Sequence, residues 1–287
     1  MELIGKIRNK LSCTVTTPLY YTEDLQKSYN TSSVAGGSLK GKYAVVTGAT
    51  SGIGLAIAKR FVVEGCYVII TGRNPQKLAM AKDEIKRQYD VGVETVEMDN
   101  LNIADIESKV SFLFSSHCVD IWVNNAGIFK KKDQQKVFRD YPEQDFHDML
   151  NTNFKSTYLL NQLVADKMIE NGTQGNILNI ASICGITPSF GYTPYGMSKV
   201  STIRLTEMMQ EKYGDKIFFH AISPGSICTR MNNNKMGDNI SRNNNGIDTR
   251  HTTMPEEVAS LAALMCSDLG KYMKGENLQA CASERFL

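Results

Sequence analysis

The chain lacks the spacings that would make its cysteines structural. Seven are present among 287 residues. Cys13, Cys66, Cys118, Cys184, Cys228, Cys266 and Cys281 are scattered, odd in number and never paired as Cys-x-x-Cys, which argues against a zinc site and against a disulfide framework. Such usage fits a reducing compartment, and a cytoplasmic location is expected. Long apolar runs are missing as well. No stretch approaches the roughly 18 residues of a transmembrane helix, and no signal-peptide core follows the start, so a soluble protein is expected. An excess of charge of one sign is also absent. Lys+Arg 32 against Asp+Glu 30 leaves a formal charge of +2, without the basic surplus that binding a nucleic-acid backbone demands. The four histidines, His117, His147, His220 and His251, stand at no metal-ligand spacing and read as structural, so no metal is expected.

The remaining composition, 42% hydrophobic and 22% charged, suits one α/β domain of roughly 200–250 residues with an appendage, and excludes disorder, collagen and small disulfide scaffolds. Residues 1–39 form the expected appendage. Leu3, Ile4, Ile7 and Leu11 recur at helical spacing, interleaved with Lys6, Arg8 and Lys10, so a short amphipathic helix over 1–11 is expected. It would pack on the domain or a neighbouring subunit, with a membrane-surface or targeting role as the other reading. A Ser/Thr/Gly-rich linker then leads into residues 40–287, read as the catalytic domain.

There, short apolar runs alternate with longer amphipathic stretches, the pattern of βαβ units feeding a parallel sheet. Strands are expected at 43–47, 67–71, 93–98, 121–124, 176–180, 218–223 and 277–280. Helices are expected at 54–64, 75–89, 104–117, 142–170, 195–213 and 255–264. Seven strands wound with six helices predict a doubly wound Rossmann-type α/β fold, a seven-stranded, mainly parallel sheet with helices on both faces. The polar segment 231–248 lacks apolar periodicity and reads as a loop.

The first strand runs into Thr47-Gly48-Ala49-Thr50-Ser51-Gly52-Ile53-Gly54 and then a helix. Glycines there permit a tight turn and close approach of the backbone to a pyrophosphate at the helix N-terminus. Their spacing departs from the common Gly-x-Gly-x-x-Gly fingerprint. It is similar to the Thr-Gly-x-x-x-Gly-x-Gly signature of the classical short-chain dehydrogenases/reductases. The likeness continues through Asn124-Asn125-Ala126-Gly127 after the fourth strand and Asn153 in a helix. It extends to Ser182 after the fifth strand, Tyr195 with Lys199 four residues on, and Pro224-Gly225-Ser226-Ile227-Cys228-Thr229 after the sixth. One Tyr-x-x-x-Lys is expected about once by chance in such a chain, but five motifs in the family's order, each at the carboxyl end of a strand or on the next helix, are not.

The resemblance implies hydride transfer between a nicotinamide cofactor and a small carbonyl or alcohol substrate. Tyr195 would be the acid/base, Ser182 would orient the substrate oxygen, and Asn153 would anchor a proton-relaying water chain. Lys199, on the same helix face, would hold the ribose and stabilise the Tyr195 phenolate against a reference pKa near 10. It also implies cofactor contacts at Gly48, Thr50, Ser51, Gly52, Ile53, Gly54, Asp99, Asn125, Ala126, Gly127, Tyr195, Lys199, Pro224, Gly225, Ile227 and Thr229. After the second strand stands Arg73, where an NAD-preferring enzyme carries an acidic residue. Its guanidinium fits a ribose 2′-phosphate, so NADP(H) is expected in preference to NAD(H). Ser51 departs from the basic residue that many NADP-preferring members place there, and Asn100 from the apolar residue usual after Asp99. Ile186, Pro188, Phe190 and Tyr192 would wall an apolar pocket, Cys184 and Cys228 would pack near the cofactor, and Lys235, Arg242 and Arg250 lie in or beside a lid segment. The family's helix pairing between subunits implies a homodimer or homotetramer. An NAD-linked alcohol dehydrogenase and a non-catalytic NADP(H)-binding sensor or scaffold remain the alternatives.

Overall fold

In the computed structural model, residues 37–130, 141–187, 193–227, 229, 231 and 252–281 are described. The expected helix over 1–11, most of the linker, nearly all of segment 231–248, and Pro188, Phe190, Tyr192, Cys228, Arg250 and His251 lie outside these residues.

The chain alternates strand and helix from Tyr43 onward: β1 Tyr43–Val46, α1 Gly52–Val63, β2 Tyr67–Gly72, α2 Pro75–Tyr89, β3 Glu94–Glu97, α3 Ile103–Ser116 and β4 Val119–Asn124. Next come α4 Glu143–Leu150, a π-helical turn Asn151–Lys155, α5 Ser156–Glu170, β5 Gly175–Ile180, α6 Thr193–Tyr213 and β6 Ile217–Pro224. The short β7 Ser226–Ile227 and β8 Thr252–Thr253, α7 Pro255–Cys266 and β9 Asn277–Ala280 complete the order. Seven strands form one sheet in the order β3-β2-β1-β4-β5-β6-β9, and every pair is parallel. The strands read as apolar runs rather than alternations because helices cover both faces. On one face Ile57 and Phe61 of α1, Leu78 and Ile85 of α2, and Val258 and Ala262 of α7 pack with Val46, Ile70 and Val123. On the other, Ile106 and Leu113 of α3, Leu160 and Val164 of α5, and Leu205 of α6 enclose Val45, Trp122 and Ile177. The edge strand β3 carries exposed Glu94 and Glu97, which discourages pairing with a further strand.

The chain builds outward from β1 through β2 to β3 and then returns to lay β4 on the other side of β1. That reversal opens a crevice at the carboxyl ends of β1 and β4, where open α/β sheets bind ligands. Beyond shifted element ends and the short unpredicted β7-β8 pair, two irregularities stand out. The helix expected over 142–170 is broken at Asn151–Lys155, where the Ser156 N–H reaches back five residues to the Asn151 carbonyl. One residue is thereby inserted into the helical register, a deviation that apolar periodicity does not record. β4 carries the second irregularity, a bulge at Asp120, whose carboxylate accepts the Tyr43 N–H at 2.8 Å.

Candidate active site

The floor of the crevice is the turn after β1. Gly48 and Gly52 adopt φ of +63° and +60°, a region that side chains disfavour. A Cβ at Gly48 would stand 2.8 Å from Ala126 Cα, and one at Gly54 would collide with Asn125 Nδ2 and lie 2.8 Å from the Gly48 carbonyl oxygen. Thr47 stitches this turn to the end of β4. Its hydroxyl donates to the Val123 carbonyl at 3.1 Å and accepts the N–H groups of Asn125 and Ala126 at 3.0 and 3.1 Å. The Asn125 amide donates to the carbonyls of Thr47 and Gly48 at 2.9 and 3.2 Å, so this side chain shapes the cradle from below. Ser51 stands exposed at the start of α1 and makes no capping bond of its own, and Ile53 follows in the first turn. The first-turn N–H groups of a helix without a side-chain cap are open to an anion.

Around this floor the other predicted positions converge. A Cβ at Gly72 would press on the Thr50 methyl at 2.8 Å, so the end of β2 is close-packed on the turn, with Arg73 exposed at its rim. Asp99, two residues past β3, accepts the Leu101 N–H at 3.1 Å, and its own N–H donates to Asp105 at 2.7 Å. Asn100, beside it, is buried. Pro224 and Ile227 are buried at the end of β6, and the Gly225 N–H donates to the Ala280 carbonyl at 2.8 Å. The Thr229 methyl lies 3.4 Å from where a Gly52 Cβ would be, bringing positions far apart in sequence into one wall.

The four catalytic candidates gather at one end of this crevice. Asn153, inside the π turn, donates from Nδ2 to the Ile128 carbonyl and to Ser198 Oγ at 2.9 and 3.2 Å, and its Oδ1 accepts the Ile128 N–H at 2.8 Å. Ser198 donates onward to the Tyr195 carbonyl at 2.7 Å. Ser182 accepts the Cys184 N–H at 3.2 Å and opens a 3-10 turn, Ile183–Gly185. That turn docks closely on α6. A Cβ at Gly185 would meet the Val200 nitrogen at 2.7 Å, and one at Gly196 would meet the Cys184 oxygen at 2.7 Å. Two missing side chains therefore set the approach of the Ser182 turn to the helix that carries Tyr195. Lys199 is 5% exposed and donates to the Ile180 carbonyl at 2.8 Å. Its Nζ lies 5.7 Å from the Tyr195 ring centroid.

Burial pushes the Tyr195 hydroxyl up to about 12, against the hydrogen bond from Ser182 that favours the phenolate. Burial likewise pulls Lys199 down to about 8. Withdrawal from water penalises both charged forms. Burial also raises the Cys184 thiol, as befits a packing residue beside Ser182. Among the described residues, no cluster of metal-ligating side chains is present and no helix is long and apolar enough to cross a membrane.

Sequence reasoning quoted Thr47 within the glycine signature without giving it a role, and did not single out Ser198 or Phe129. A lone Ser or Thr in a helix or turn carries no signal of its own, and Phe129 reads as one more apolar residue. In the structure its ring lies against Tyr195, centroids 5.0 Å apart and planes inclined at 59°.

A nicotinamide dinucleotide fits this arrangement on two grounds. The glycine cradle would be filled by side chains at Gly48 and Gly54, and Gly127 leaves space beside Asn153 Oδ1 and Lys199 Nζ, 3.2 and 3.7 Å from where its Cβ would stand. Comparisons with known proteins agree. The family described as short chain dehydrogenase matches residues 42–239, more than half of the chain. The 3-oxoacyl-acyl-carrier-protein reductase FabG of Aquifex aeolicus is 32% identical over 240 residues, covering 83% of this chain and 95% of that protein. The 3beta-hydroxysteroid dehydrogenase 1 of Eggerthella lenta is 29% identical over 246 residues, covering 84% and 92%. Among solved structures, an actinorhodin polyketide ketoreductase with NADPH superposes with a TM-score of 0.74 at 25% identity, covering 86% of this chain and 98% of that one. Fold, motif order and these matches agree: the chain belongs to the short-chain dehydrogenase/reductase family of oxidoreductases.

Proposed function

We propose that the protein is an NADP(H)-dependent carbonyl reductase in which Tyr195 donates the proton. The observation that carries this reading is the meeting of Ser182, Tyr195, Lys199 and Asn153 at one end of the glycine-floored crevice. The bound cofactor supplies hydride. Tyr195, held protonated by burial, is suited to donate to the oxygen of a carbonyl as charge develops there. Ser182 holds that oxygen against the phenol. Lys199, fixed by Ile180, presents its remaining N–H groups toward the space left by Gly127, where ribose hydroxyls would be held. Asn153 fixes the β4 loop and, through Ser198, the first turn of α6. The exposed guanidinium of Arg73 supports a preference for the 2′-phosphate of NADP(H). In this reading residues 40–287 are the catalytic domain and 1–39 an extension. The working form is a cytoplasmic homodimer or homotetramer, and sedimentation at monomer mass would contradict that assembly.

The test is NADPH consumption against oxoacyl thioesters, ketosugars, diketones, steroids and quinones, with Tyr195→Phe beside the wild type. Turnover that disappears in the variant while NADPH still binds is the expected result. Turnover that survives removes Tyr195 from its role, and tight NADPH binding without turnover of any carbonyl would favour a cofactor-binding sensor.

A further inference from the structure

Three consecutive residues after the Asn125–Gly127 motif are each fixed to a different element. Ile128 is held at both main-chain groups by Asn153 of the π turn. The ring of Phe129 lies against Tyr195 of α6. Lys130 Nζ reaches Asp145 Oδ1 at 2.9 Å and Asp148 Oδ2 at 2.5 Å, two carboxylates one turn apart on α4. Gln144 donates to the other Asp148 oxygen at 2.7 Å and so fixes that carboxylate. This segment has no helix or strand of its own to hold it. A loop pinned at three successive residues presents the middle side chain at a defined place, which is what a binding wall requires.

We propose that Phe129 is a specificity-determining residue whose ring walls the substrate pocket beside Tyr195, and that Lys130, clipped to Asp145 and Asp148, is the positioning residue that holds the wall. The inference rests on the reading of Tyr195 as the proton donor. A carbonyl oxygen bonded to the Tyr195 and Ser182 hydroxyls leaves two substituents to be accommodated. Ser182 leads into the turn carrying Ile183, Cys184 and Ile186, and Phe129 offers an aromatic surface against the Tyr195 ring. A flat apolar substituent gains an aromatic contact there that a short alkyl group does not. The substrate class selected is therefore a ketone with an aryl or similarly flat apolar group on one side.

The experiment compares acetophenone with butan-2-one as substrates of the full-length, NADPH-loaded protein. In wild type kcat/KM favours acetophenone. Phe129→Ala is expected to reduce that preference by about tenfold, chiefly through KM, and Phe129→Tyr to restore most of it. NADPH affinity should not move. Lys130→Met should reduce the preference by about threefold, and 1 M NaCl should shift wild type in the same direction but not the variant, because salt weakens the half-buried clip. An equal fall for both ketones, or an unchanged preference, overturns the proposal and leaves Phe129 a packing residue. Binding of 1-phenylethanol to the NADP-loaded protein separates this result from failure of the functional reading. If turnover is absent or survives Tyr195→Phe, but Phe129→Ala still weakens that binding about tenfold, the wall stands without the assigned acid. If 1-phenylethanol binds equally to both proteins, or to neither, the wall is refuted.

Discussion

Asn153 and Ile128 are joined by two hydrogen bonds that satisfy both main-chain groups of the isoleucine, at 2.8 and 2.9 Å. One side chain in a π turn thereby carries a loop that has no ladder of its own. Asn153→Ala leaves both Ile128 groups without their partner, and Ser198 loses a donor. Stability should fall by about 2–4 kcal/mol, since each net bond is worth about 1 kcal/mol and an orphaned buried group costs more. Denaturant unfolding reads this directly. Asn153→Asp should recover only part, because its carboxylate accepts from the Ile128 N–H but opposes the Ile128 carbonyl.

Burial in the unliganded protein penalises the charged form of Lys199. Its pKa falls from about 10.4 in the unfolded chain to about 8 in the fold. Below pH 8 both states hold the proton and the folded state bears the full cost of the buried charge. Between about 8 and 10.4 the unfolded chain holds more protons, so stability rises with pH. Lys199→Met should raise the melting temperature most at pH 7, by an amount corresponding to about 3 kcal/mol, and the gain should vanish near pH 10.5 while turnover is lost at every pH. A melting temperature that falls at pH 7 contradicts this.

Gly54 has no room for a methyl group. The Asn125 amide and the Gly48 carbonyl already occupy that space. Gly54→Ala must push the turn away from Asn125, at a cost of about 1–3 kcal/mol. NADPH affinity should drop by about tenfold or more as the cradle opens. Calorimetric titration tests this, and unaltered affinity would place the dinucleotide elsewhere.

Arg73 should govern which dinucleotide is preferred. Its exposed guanidinium at the rim of the crevice would make charge-assisted bonds to a 2′-phosphate, worth about 1.5–3 kcal/mol. Arg73→Ala should therefore weaken NADPH about 10- to 100-fold while leaving NADH affinity within about twofold. An unchanged ratio of the two dissociation constants would end the assignment.

The succession of strands and helices and the placing of the motifs at strand ends were legible because each signal is local. Glycine spacing writes the turn after β1, apolar runs write the strands, and βαβ handedness does the rest. The strand β9 occupies the expected residues 277–280 unchanged, and α2 likewise runs from Pro75 to Tyr89. What remained hidden depends on atoms from separate elements meeting. The π turn holds Asn153, whose partner Ile128 lies 25 residues away. Phe129 gains meaning only beside Tyr195, and Ser198 only between Tyr195 and Asn153. The shifts that burial imposes on Tyr195 and Lys199 are hidden for a related reason: spacing of four residues reports proximity but not the loss of water around both groups.

Asn124 and Asn179 face each other in the register of β4 and β5 and share a side-chain hydrogen bond at 2.9 Å. Asn124 also accepts from the indole of Trp122, the chain's single tryptophan, and donates to Asn161, while Asn179 donates to Thr206 of α6. Aliphatic neighbours such as Ile177 and Leu178 tolerate many alignments of two parallel strands. Amides do not. A slip by one residue would turn Asn179 toward the aliphatic face, and a slip by two would set Asn124 against Ile177, in each case stranding an amide at a cost of about 2–7 kcal/mol. The pair thus works as a checksum on chain alignment, favouring the one register in which both amides find their partners.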